Sequence, residues 1–143
     1  MKSALIIDDE EGIANAICIA LPGFARKNAL TMKDALDALQ QFEFDVVFLD
    51  LGLPDSTVEN TTRMIPLVRR IARDAAIVVV TGFPRAISAE DINADAVLVK
   101  PFTSSSLESV LHDANVVQCR RHMASKDTDF YRTCDMIRAM ARV

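Results

Sequence analysis

The chain has 143 residues, half of them apolar and a quarter charged, with a formal net charge of −4. This is ordinary composition for one globular domain with a small appendage, and the mild acidity leaves no polybasic footprint for nucleic acid. No stretch approaches the roughly 20 apolar residues of a membrane-spanning helix. Cys18, Cys119 and Cys134 are odd in number and lack metal-ligand spacing, so reduced thiols in a cytoplasmic protein are the expectation.

Short apolar runs alternate with amphipathic stretches. Residues 4–7 are apolar and stop at Asp8-Asp9-Glu10-Glu11, which suits a buried strand ending in an acidic loop and not an export signal. Ile13, Ile17 and Leu21 follow at helical spacing, and Pro22-Gly23 ends that helix. A weak strand is read over 25–30, then a second helix through Met32, Ala35, Leu36 and Leu39. Residues 46–49 form the clearest strand, which ends at Asp50. Met64, Leu67, Val68 and Ile71 mark a third helix, with Pro66 either at its start or kinking it. Residues 77–80 read as a strand ending at Thr81-Gly82, and 88–93 as a short helix capped by Ser88. Residues 97–99 form the fifth strand, ending at Lys100-Pro101, and Leu107, Val110, Leu111, Ala114 and Val117 the helix after it. Five strand–helix alternations predict an α/β fold, a doubly wound parallel sheet with helices on both faces. Residues 1–119 are read as that domain. Residues 120–143 are read as a polar linker and a short amphipathic helix carrying Phe130, Cys134, Ile137 and Ala141.

The notable polar residues sit where strands end: Asp8 and Asp9, Asp50, Thr81, and Lys100. In an open α/β sheet these carboxyl ends lie along one edge, so three carboxylates, a hydroxyl and an ammonium are expected to converge. Packed carboxylates repel, and a hard divalent cation with oxygen ligands relieves that repulsion; Mg²⁺ suits it. A carboxylate in such surroundings can act as a nucleophile toward a phosphoryl group, with Lys100 and Thr81 neutralising and hydrogen-bonding its oxygens.

The segments IIDDE (6–10), VVFLDLGLP (46–54), VVVTG (78–82) and LVKPF (98–102) together resemble the bacterial response-regulator receiver family over roughly residues 1–118. The resemblance implies a flavodoxin-like fold with strand order 2-1-3-4-5. It implies that Asp50 accepts the phosphoryl group and that Asp9, Asp8 and the Gly52 carbonyl serve a Mg²⁺ ion with Asp50. Thr81 and Lys100 would hold phosphoryl oxygens, and Pro101 would follow a cis bond. The implied donor is a phosphohistidine on a sensor histidine kinase or a histidine phosphotransfer protein. Output would go to a downstream protein target by contact, without direct nucleic-acid or membrane binding.

Two departures are visible. Val97 stands three residues before Lys100, where the family usually has Tyr or Phe. Lys100 follows Thr81 by only 19 positions, so the 88–93 helix is expected to be about a turn short. Phosphorylation chemistry is thus expected intact on an unusual signalling surface. Gly52 and Phe83 flank the expected site; His112 and His122 lie away from it. The C-terminal helix is read either as packed on the domain or as a dimerisation or docking element. Three rival readings are a phosphate-independent scaffold, a Mg²⁺-dependent phosphatase with an aspartyl nucleophile, and a flavin carrier. Gly52 stands where such a phosphatase commonly has a second acid, and the acidic first loop opposes a flavin phosphate.

Overall fold

The computed structural model describes residues 2–82 and 92–116. In chain order the elements are β1 (Ser3–Ile7), α1 (Glu11–Ala20), β2 (Ala25–Ala29), α2 (Met32–Gln41), β3 (Val46–Asp50), α3 (Val58–Ile71), β4 (Ala76–Thr81), β5 (Ala96–Val99) and α4 (Ser104–Asp113). The five strands form one parallel sheet in the order β2-β1-β3-β4-β5. The expected 2-1-3-4-5 order and doubly wound architecture are therefore present.

Strand alternation divides the core between the two faces of this sheet. Leu5, Ile7, Val47, Leu49, Ile77 and Val79 pack with α2 and α3. Ala4, Ile6, Val46, Phe48, Val78, Val80 and Leu98 pack with Ile17 of α1 and Leu107 and Leu111 of α4. β3 and β4 are buried at every residue, as central strands covered on both sides must be. β2 is exposed at four of its five positions. It is an edge strand, and Arg26 and Lys27 blunt that edge against pairing with another chain.

Loops are fixed by named polar contacts. Gly23 takes φ 84°, a left-handed conformation that lets the chain turn out of α1 into β2. Asp45 accepts the Ser3 N–H at 2.7 Å and Asp95 the Ile77 N–H at 2.7 Å, so each aspartate ahead of a strand caps the start of its neighbour. Arg69 braces Asp95 at 3.2 Å.

α3 starts at Val58, capped by Thr57, and runs through Pro66 to Ile71. The helix therefore does not begin near Pro66. Pro66 denies the Thr62 carbonyl its usual donor, but it lies on the exposed side, where water can serve that group. The 88–93 helix lies outside the described residues except at Ile92 and Asn93, which form a turn. Residues 120–143, where a C-terminal helix is expected, also lie outside them.

α4 begins with a capping box between Thr103 and Ser106, immediately after the Lys100-Pro101-Phe102 turn. Thr103→Ala removes the acceptor for the Ser106 N–H and is expected to cost about 1 kcal/mol in urea unfolding. An unchanged midpoint would show that the cap adds nothing here.

Candidate functional site

The sheet register brings the acids together. Ile7 pairs with Leu49 as the last pair of that ladder, and Asp8 and Asp50 are the next residue on each chain. Both carboxylates are buried, at 3 % and 5 % exposure. Their backbones are anchored: the Asp8 N–H donates to the Ala29 carbonyl at 3.0 Å, and the Leu51 N–H to the Val80 carbonyl at 3.2 Å. Local turns then fix the side chains. Asp8 Oδ1 accepts the Glu10 N–H at 2.8 Å, and Asp50 Oδ1 accepts the Gly52 N–H at 3.0 Å.

Lys100 enters from the end of β5. Its backbone N–H bonds the Thr81 carbonyl at 2.8 Å, and the Lys100–Pro101 peptide is cis, as the resemblance implied. Its Nζ lies 3.2 Å from Asp8 Oδ2, 3.3 Å from Asp50 Oδ2 and 3.3 Å from Glu10 Oε1. One ammonium thus faces three carboxylates. Burial works against its charge, but Asp50, Asp8 and Glu10 outweigh it and raise the Lys100 pKa above the ordinary lysine value. Burial also raises Asp8, reinforced by Asp50 and opposed by the Glu10 N–H and Lys100. Asp8 Oδ2 is buried and pairs with the Lys100 ammonium at 3.2 Å as an ion pair, with no hydrogen bond beside it.

Asp9 is exposed, and its carboxylate lies with those of Asp8 and Glu10, one oxygen from each within 4.8 Å of the others. Asp50 does not join that group; it faces it across Lys100. Thr81 is buried at the end of β4, paired in register with Val99. Gly52 is exposed, and a Cβ placed there would meet only Asp50 Oδ1 at 3.6 Å. Val97 is half-buried against the core on the α2/α3 face. His112 lies in α4, while Phe83 and His122 fall outside the described residues.

Sequence reasoning missed two residues. Glu10 is the third carboxylate on Lys100, signalled only by its place after the acidic pair. Asp55, in the turn after Pro54, reaches the first turn of α2.

A family profile for the response regulator receiver domain matches residues 4–112. The chain belongs to the response-regulator receiver family. It is 30 % identical over 122 residues to the transcriptional regulatory protein LytR of Staphylococcus aureus (strain N315), covering 82 % of this chain and 48 % of the relative. It is 31 % identical over 136 residues to the KDP operon transcriptional regulatory protein KdpE of Escherichia coli (strain K12), covering 90 % and 56 %. The chain thus spans about half the length of the curated relatives it matches. Among solved structures, a Burkholderia pseudomallei response regulator with a phosphorylated aspartic acid, calcium ion and citrate aligns with a TM-score of 0.68 at 26 % identity, over 89 % of this chain and 75 % of that one. A CheY-like receiver domain protein from Methanospirillum hungatei JF-1 aligns with a TM-score of 0.68 at 22 % identity, over 80 % and 94 %, a likeness of fold alone. No helix among the described residues is long and apolar enough to cross a membrane.

Proposed function

We propose that residues 1–119 form a phospho-accepting receiver switch whose acceptor is Asp50, with 120–143 as an appendage. The observation that carries this reading is the pair of buried carboxylates, Asp8 and Asp50, sharing the Lys100 ammonium at the carboxyl edge of the sheet. Asp50 is fixed through one oxygen by the Gly52 N–H. Its carboxylate forms a new O–P bond as the N–P bond of a phosphohistidine breaks, and the electron pair leaves with the imidazole, which takes a proton. Lys100 passes from the carboxylates to a phosphoryl oxygen, and Thr81 donates its hydroxyl to another. Such transfer depends on positioning and charge neutralisation more than on covalent help.

The residues fit a Mg²⁺ ion. Every donor is an oxygen, as a hard cation requires, and Asp8 Oδ2 is a buried carboxylate oxygen without a hydrogen bond. Asp8, Asp9, Asp50 and the Gly52 carbonyl would hold it. When bound, Mg²⁺ offsets the negative charge of the acids and the incoming phosphoryl group.

The donor in this reading is a sensor histidine kinase or a histidine phosphotransfer protein in the cytoplasm. Output is contact with a downstream protein, with a homodimer through the appendage as one form of it. The chain acts on itself rather than turning over a substrate.

Incubation with acetyl phosphate and Mg²⁺ should add about 80 Da to the intact mass. Hydroxylamine should then expel the phosphate, because it attacks an acyl phosphate at its carbonyl and leaves a hydroxamate in its place. No gain in a folded, Mg²⁺-treated protein, or a gain that resists hydroxylamine, would overturn the reading.

A charged Asp8 carries a cost in this site. Its folded pKa lies above its unfolded value, so the stability penalty develops as pH rises through that interval and is complete above it. Asp8→Asn is therefore expected to raise the metal-free thermal midpoint by a few degrees at neutral pH while weakening the further rise that Mg²⁺ produces. A lower metal-free midpoint would show that the Lys100 contact outweighs burial.

A further inference from the structure

We propose that Asp55 is a positioning residue for phosphoryl transfer: its carboxylate ties the loop carrying Gly52 to the first turn of α2. This rests on the reading of Asp50 as the phosphoacceptor. Asp55 Oδ1 accepts the Met32 N–H at 2.9 Å and Oδ2 the Lys33 N–H at 3.3 Å. These are two of the N–H groups that any helix leaves without partners at its start. Thr31 already supplies a local cap, taking the Asp34 N–H at 3.1 Å. The second cap comes from another loop, 23 residues away in sequence.

What Asp55 holds is itself tied to the site. The strand entering that turn is bonded to the acidic loop through the Asp8 N–H and the Ala29 carbonyl, 3.0 Å apart. The loops after β1, β2 and β3 are thereby linked in series. Asp8 leads to Ala29, the chain leads to Met32, and Met32 leads through Asp55 back to Asp50. Between Asp50 and Asp55, Leu51 and Leu53 are buried and hold the loop by packing. Gly52 bridges them with no side chain of its own, and its N–H is the one that orients Asp50 Oδ1. Asp55 fixes the far end of this span. Its release lets Gly52 drift and with it the aim of the nucleophile. The backbone N–H of Met32, then that of Lys33, holds the Asp55 carboxyl below its usual range, as befits a charge kept for those amides.

The test compares Asp55→Ala and Asp55→Asn with Thr31→Ala, which strips the local cap of α2 and leaves the tether alone. Phosphorylation by acetyl phosphate at saturating Mg²⁺ is followed by intact mass. Asp55→Ala should slow the reaction by about tenfold, the scale on which small misplacements of reacting groups act. Asp55→Asn, which keeps one acceptor oxygen, should fall between it and the parent, and carries the comparison alone if the alanine variant does not fold. Thr31→Ala should stay within about twofold of the parent, because the reacting groups keep their geometry. Equal slowing by Thr31→Ala and Asp55→Ala would make helix stability the cause and overturn the tether. Unchanged rates in both Asp55 variants would overturn it as well. A parent that gains no mass, like an Asp50→Asn control, would instead remove the receiver reading and the tether with it.

Discussion

Asp50→Asn is expected to abolish the mass gain of about 80 Da on treatment with acetyl phosphate and Mg²⁺. The substitution keeps the size of the side chain and an oxygen that can still accept the Gly52 N–H, 3.0 Å away in the parent. It removes the second carboxylate oxygen, which faces Lys100 at 3.3 Å, and replaces a nucleophile with an amide whose lone pair is delocalised. A fold preserved by circular dichroism with no phosphoryl uptake is the expected outcome. Asp8 and Asp9 are the other aspartates of the edge, so uptake in the variant equal to that of the parent would relocate the acceptor to one of them. The predicted effect is all-or-none because no neighbouring group can supply the lost oxygen from the position that the Gly52 turn fixes.

Most of the sheet was legible because its central strands are uninterrupted apolar runs, and only burial on both faces tolerates that. β2 gave a weak signal for the opposite physical reason. As an edge strand it is exposed at four of its five positions, so its residues need no apolar pattern. Pro66 left two readings open. The tolerance of α3 for it depends on which side of the helix meets water, and that follows from packing.

The site was legible at the level of strand ends, since a parallel sheet carries every strand end to one edge. Its internal wiring was not. The acids and Lys100 read as separate donors, whereas folding places the ammonium between Asp8, Asp50 and Glu10. Glu10 and Asp55 escaped notice because their roles depend on the path of a loop. Asp55 lies 23 residues from the amide it binds, and no periodicity encodes such a contact.

Lys100→Met should slow phosphorylation by about 10²–10³-fold at saturating Mg²⁺, the loss typical when one donor to developing charge is removed. Methionine keeps much of the length of the side chain and takes away only the charge and its hydrogen bonds. The same change leaves the buried Asp8 and Asp50 carboxylates facing each other without the cation between them. The expected cost is about 1–3 kcal/mol, below that of a fully buried pair because Glu10 and Asp9 keep the site open to water. Its pH dependence has a definite sign. The Lys100 pKa is raised on folding, so its stabilisation is complete below the unfolded lysine value and fades only in strongly alkaline solution. The deficit of the variant should therefore hold across neutral pH and shrink in acid, where protonation of Asp8, whose pKa is raised, removes its repulsion with Asp50. Lys100→Arg separates charge from placement: it should recover much of the stability yet transfer phosphate poorly, since a planar guanidinium does not occupy the position of a compact ammonium. A Lys100→Met rate within twofold of the parent would mean that the ammonium serves the resting carboxylates alone, and the transfer step would have to draw its neutralisation from elsewhere on the edge.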